Sequence, residues 1–112
     1  MEKLISEEMT IIFSCLRAVA EGPFIHDRSI HSRLGVYRET LYNIVEQWPE
    51  IDDSILDLDM YLAINNSMNE VCNGIRFSHA DWEAWFHVDR DVVRKVFKKW
   101  KRLQDFKTDN GP

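Results

Sequence analysis

Ser6-Glu7-Glu8-Met9-Thr10-Ile11-Ile12-Phe13-Ser14-Cys15-Leu16-Arg17-Ala18-Val19-Ala20-Glu21-Gly22-Pro23 opens the chain's structural pattern. Met9, Ile12, Phe13, Leu16, Val19 and Ala20 recur at steps of three and four residues, which places them on one face of an α-helix. Ser6 is the expected N-cap, and Glu7 and Glu8 suit the positive end of the helix dipole. Gly22-Pro23 ends the helix, because glycine accepts a left-handed cap and proline cannot continue the ladder.

The same grammar runs through the rest of the chain. A short helix is expected over about Arg28 to Leu34, capped by Asp27 and stopped by Gly35. A third runs from Arg38 to Gln47 and buries Leu41, Ile44, Val45 and Trp48 before Pro49 closes it. After an acidic connector, Glu50 to Asp53, a long helix from about Ser54 to Cys72 carries Ile55, Leu58, Leu62, Ile64, Met68, Val71 and Cys72, and Asn73-Gly74 terminates it. Asn65, Asn66 and Asn69 are poor helix formers inside it and are expected to bond a neighbouring segment such as the connector. Ser78 caps a short aromatic helix (Trp82, Trp85, Phe86) with Asp81 at the capping-box position. Asp89 caps the last helix, which buries Val92, Val93, Val96, Phe97 and Trp100.

The order long, short, medium is met twice. Residues 6–48 align with 58–100 at a constant offset of 52 without a gap. Ile12/Ile64, Val19/Val71, Gly22/Gly74, Val36/Val88, Arg38/Arg90 and Trp48/Trp100 are identical, and they fall at helix ends and on apolar faces. The expectation is an all-α protein of six helices, arranged as two tandem three-helix repeats that share one core. Half of this chain buries too little surface to fold alone.

At 112 residues and 13.3 kDa the chain has room for a single domain, 1–112, with 106–112 as a flexible tail. Hydrophobic residues at 45% supply a core, so a disordered chain is excluded. No apolar run approaches the ~20 residues that a membrane helix needs. Acids stand near the N-terminus where a signal peptide would carry bases, so a cytoplasmic protein is expected. Cys15 and Cys72 follow no metal-ligand spacing and are expected as free, buried thiols.

Charge divides the chain sharply. Residues 1–89 hold 16 acids and 6 bases, whereas residues 90–112 hold 8 bases and 3 acids. Glu46, Glu50, Asp52, Asp53, Asp57 and Asp59 form an acidic tract with no base among them, and Tyr61 follows as an aromatic anchor. Arg90, Arg94, Lys95, Lys98, Lys99, Lys101 and Arg102 form the opposing basic run, with Arg94, Lys98, Lys101 and Arg102 expected on one outer face. The acidic region should attract a cationic partner and the basic helix an anionic one.

Leu34-Gly35-Val36-Tyr37-Arg38-Glu39-Thr40-Leu41-Tyr42-Asn43-Ile44-Val45 resembles the turn and recognition helix of bacterial helix-turn-helix proteins. The resemblance covers about 20 residues and implies that Tyr37, Arg38, Thr40 and Asn43 face a DNA groove. It departs from the pattern at His31, where a small residue normally allows close helix approach. Residues 86–94 repeat the arrangement with His87 in place of the glycine. Glu39, Glu46, Glu50, Asp52 and Asp53 would repel phosphate around the first copy, which leaves the basic last helix as the better nucleic-acid surface.

No P-loop, dinucleotide, metalloprotease or nucleophile-elbow pattern is present, and the loop glycine and terminal glutamate of a calcium hand are missing. His26, His31, His79 and His87 form no ligand pattern. A non-enzymatic protein without cofactor or metal is therefore expected. In type, the chain is similar to the small acidic all-helical bacterial immunity proteins that neutralise nuclease toxins. That similarity implies a protein partner with a basic surface, met by Glu46, Glu50, Asp52, Asp53, Asp57, Asp59 and Tyr61. The alternatives are a helix-turn-helix regulator that binds nucleic acid through the basic last helix, and an adaptor that dimerises through its tryptophan-rich second half.

Overall fold

A computed structural model describes residues 3–50, 55 and 57–109, with side chains described as far as residue 104. Those residues form six α-helices and no strand: α1 (Ser6–Glu21), α2 (Asp27–Leu34), α3 (Arg38–Gln47), α4 (Asp57–Asn69), α5 (His79–Trp85) and α6 (Arg90–Asp109). One contiguous hydrophobic cluster takes residues from every helix, among them Leu16, Leu34, Leu41, Met68, Trp82 and Val93. α1 and α4 lie at its centre: α1 packs on α3, α4 and α6, and α4 packs also on α2 and α3.

Helix ends follow the local chemistry, with shifts. Ile5, not Ser6, is the N-cap of α1, and the Glu8 carboxylate accepts the Ile5 N–H at 2.8 Å. Glutamate at the third helical position reaches back to the N-cap amide, the carboxylate half of a capping box. α2 starts at Asp27, and His26 is its cap, with Nδ1 accepting the Arg28 N–H at 3.2 Å. Gly35 takes φ 77°, and its N–H donates to the His31 carbonyl at 2.8 Å, which makes the sharp turn into α3. α3 ends at Gln47, one residue before the cis Trp48–Pro49 peptide. Ser78 caps α5 as its sequence predicts, its Oγ accepting the Asp81 N–H at 3.0 Å.

α4 differs more from expectation. Ser54 lies outside the described residues, and the described helix begins at Asp57. At its far end it widens into a π turn, Glu70–Gly74. A Cβ at Gly74 would lie 1.8 Å from Glu70 Oε1, so the glycine leaves room for that carboxylate to turn back. Buried Glu70 is held there by one guanidinium edge of Arg33 on α2, Nε donating to Oε2 at 2.7 Å and Nη2 donating to Oε1. The hydrogen-bonded carboxylate raises the Arg33 guanidinium's pKa further. Asn66 does bond a neighbouring segment, donating to the Leu34 carbonyl at 2.7 Å, so its partner is the end of α2 and not the connector.

Leu58 and Val92, expected in the core, are exposed. Val93, in the same turn as Val92, is fully buried, so it is the rotation of α6 that turns Val92 outward. α6 continues to Asp109, so helical backbone covers 106–109, where the sequence suggests the start of a tail.

Two arginines fasten loops to helix starts. Arg38 Nη2 donates to the Ile25 carbonyl at 2.6 Å and Nη1 to the Ala20 carbonyl at 2.7 Å, while Nε meets Asp27 at 2.7 Å. Arg90 Nη2 donates to the Phe77 carbonyl at 3.1 Å, and its guanidinium lies 4.6 Å from the Trp82 ring centroid.

Candidate protein-docking face

α3 ends and α4 begins on the same side of the molecule as the N-terminal turn of α1 and the later turns of α6. Between them lies a cleft of about 480 Å³, lined by Trp48, Asp57, Met60, Tyr61, Ile64 and Trp100, with Leu4, Met9, Ile12 and Gln104. Trp48 is placed there by the end of α3, and its ring stacks on Phe13 at 6.5 Å. A smaller hollow of about 350 Å³ adjoins it through Leu4, Met9 and Trp48 and extends to Pro49 and Phe13. Tyr61, exposed, leans on buried Trp100 with centroids 5.3 Å apart. The cleft is thus an aromatic hollow with a carboxylate on its edge.

The described carboxylates fall into two groups. Glu8, Glu21, Asp27, Glu70 and Asp91 each meet a lysine or arginine. Among the described residues, Glu46, Glu50, Asp57 and Asp59 meet none, and neither do Glu39, Asp81 and Asp89 elsewhere on the surface. Glu46, Glu50 and Asp57 are exposed and Asp59 is half-buried. The structure brings Asp57 and Tyr61 together in the cleft wall, while Glu46, Glu50 and Asp59 lie outside its lining. Asp52 and Asp53 lie outside the described residues.

The basic run is split by the fold. Arg90 is spent on Phe77 and Trp82. Arg94 reaches Asp91 at 3.5 Å on the surface, and Lys101 lies over the Phe97 ring at 5.2 Å. Lys99 turns inward to Glu8, Nζ to Oε1 2.7 Å, with both side chains only 18% exposed. This donor, then the Ile5 amide, holds the Glu8 carboxyl below its usual range. Lys95, Lys98, Lys99 and Arg102 line one groove of about 480 Å³ between α1 and α6, together with Ile5, Glu7, Glu8, Ile11, Val92 and Val96. The cationic groove is therefore the 95/98/99/102 stripe, and Arg94 and Lys101 do not line it. The rotation of α6 is set by its buried residues Val93, Val96, Phe97 and Trp100.

In the helix-turn-helix-like segment, Arg38 points at the carbonyls of Ala20 and Ile25, so it is unavailable to a groove. Tyr37 is exposed and stacks on His31 at 4.1 Å, which explains how a histidine is accommodated where that motif wants a small residue. Trp48, Met60 and Trp100 were legible as apolar residues but not as walls of a cleft; Trp48 next to Pro49, at the mouth of the acidic connector, is the signal that could have marked it.

Among the described residues no three His, Cys, Asp or Glu side chains are placed to hold a metal ion, and no helix is long and apolar enough to cross a membrane. Set against known proteins, the chain matches no family model, no curated protein and no solved structure.

Proposed function

We propose that this chain is a non-enzymatic protein-binding module of the immunity or antitoxin type, which occupies the cationic surface of a bacterial nuclease-like toxin in the cytoplasm. One observation carries the reading: Asp57, which meets no lysine or arginine among the described residues, lines an aromatic hollow formed by Trp48, Tyr61 and Trp100, with Glu46, Glu50 and Asp59, equally unpaired, close to the hollow's residues along the chain. Unneutralised carboxylates steer a basic partner and speed its encounter, and an aromatic hollow gives it an anchor. The test is capture from a lysate of the native host, with mass spectrometry identifying a basic nuclease-like domain among the captured proteins. Reversing Glu46, Glu50, Asp57 and Asp59 to lysine should abolish capture and protection while the helical circular dichroism stays unchanged. Capture at wild-type strength would overturn the reading.

The duplicated architecture belongs to the same proposal. Offset by 52 residues, α2 and α5 start at Asp27 and His79, and α3 and α6 start at Arg38 and Arg90. His26 and Ser78 are both side-chain caps, and Arg38 and Arg90 donate to the equivalent carbonyls of Ile25 and Phe77. Fully buried Ser67 stands where the first half has fully buried Cys15. We infer two copies of one three-helix unit, the last helix of the second copy carrying the basic run.

A nucleic-acid-binding regulator is the second reading, favoured by exposed Lys95 and Lys98 on α6. Glu7 and Glu8 in the same groove oppose it. Tight binding of random DNA at low salt, lost in K95E/K98E, would establish it.

A further inference from the structure

We propose that this chain self-associates head to tail, the acidic first turn of α4 in one copy docking into the basic α1/α6 groove of the next. The large aliphatic side chains left exposed are three: Leu58 at 63%, Ile5 at 55% and Val92 at 37% among the described residues. Ile5 and Val92 belong to the same groove, whose floor also contains Ile11 and Val96. Exposed Lys95 and Lys98 stand on its α6 edge. The acids lining it are Glu7 and Glu8, and Glu8 is already neutralised by Lys99. An occupant of this groove needs an apolar side chain flanked by carboxylates.

The chain displays such a group elsewhere on its surface. Leu58 lies between Asp57 and Asp59 in the first turn of α4. Successive helical residues are turned by about 100°, so the two carboxylates fall to either side of the leucine. Tyr61, three residues on and 42% exposed, continues the same face. Groove and knob are thus opposite in charge, alike in having an uncovered aliphatic centre, and both solvent-exposed in the single chain, so a second copy can satisfy each. Because the two surfaces differ, the contact is heterologous and extends from copy to copy beyond a pair, into a ring or an open chain. The proposal shares the Asp57–Asp59 face with the immunity reading, so self-association and toxin capture would compete for it, whereas the groove belongs to self-association alone.

Sedimentation velocity of the full chain tests this. At low salt the weight-average mass should rise continuously with concentration from the 13.3 kDa of one chain, passing beyond a dimer, and it should fall back at high salt. K95E/K98E lacks the groove and L58S/D57N/D59N lacks the knob; each alone should stay monomeric. An equimolar mixture of the two should restore one contact and stop at a dimer. A wild-type chain that stays monomeric over the whole concentration range, a dimer that does not grow, or a mixture that does not pair would each overturn the proposal. The wild-type series decides the matter even if a variant fails to fold. K95E/K98E should retain toxin capture in full, so failure of self-association with capture intact leaves the immunity reading standing.

Discussion

Arg38 and Arg90 occupy the first position of α3 and of α6, and each donates a hydrogen bond to a carbonyl thirteen residues earlier, Ile25 and Phe77 respectively. The two are not equally committed. Arg38 also binds Val19, Ala20 and Asp27, whereas Arg90 adds, among the described residues, the face of Trp82. A planar fork can serve several acceptors at once, and an ammonium cannot reproduce it. Arg38→Ala should therefore destabilise the fold by about 2–3 kcal/mol, and Arg38→Lys by a substantial part of that. Arg90→Ala should cost about 1 kcal/mol. Urea unfolding measures all three, and equal losses for Arg38→Ala and Arg90→Ala would contradict the difference in their partners.

Ser67 is fully buried in α4, and its hydroxyl has no hydrogen-bond partner among the described residues. Burying a hydroxyl without a partner costs folding energy that an apolar side chain of similar size does not incur. Ser67→Ala should raise stability by about 1 kcal/mol and lift the thermal midpoint. A fall in stability would show that the hydroxyl is satisfied in solution.

Glu8 and Lys99 tie the start of α1 to α6 from positions 91 residues apart. The Glu8 carboxyl is held below its ordinary value of 4.5, so it binds protons less readily folded than unfolded. Its contribution is complete above the ordinary glutamate range and is lost as pH falls through the lowered folded value. Glu8→Gln should lose about 1 kcal/mol at neutral pH, with the deficit shrinking towards zero in acid. A deficit independent of pH would mean that charge is not what the pair contributes.

Burial pushes the Cys15 thiol well above its ordinary value, with neighbouring Cys72 adding to the effect, and pushes Cys72 up against the opposing pull of Arg94. Since the thiolate is the nucleophile, neither should react quickly at neutral pH. Half-buried Cys72 should label slowly with a maleimide and Cys15 only on unfolding, as read by mass spectrometry. Rapid native labelling of Cys15 would place it near solvent.

Gly35 sits at φ 77°, and a Cβ there would lie 3.2 Å from Leu62 Cδ1. Gly35→Ala should cost about 1–2 kcal/mol through left-handed strain. Thermal melting would show it, and an unchanged midpoint would mean that the turn relaxes freely.

The sequence by itself determined the helical class, the order and approximate limits of the six helices, the turn at Gly35, the Ser78 cap and the division between acidic body and basic last helix. Those features depend on residues within a turn or two of one another, where periodicity, capping and proline geometry act directly. Packing decided what the pattern could not. It turned Arg38 inward, drew Lys99 to Glu8, left Leu58 and Val92 uncovered, widened the end of α4 around the Arg33–Glu70 pair, and assembled Trp48, Asp57, Tyr61 and Trp100 into one cleft. A helix's residues fix which of its faces is apolar, but the rotation and depth at which that face seats against its neighbours are properties of the whole core, and so is the set of side chains that meet across it.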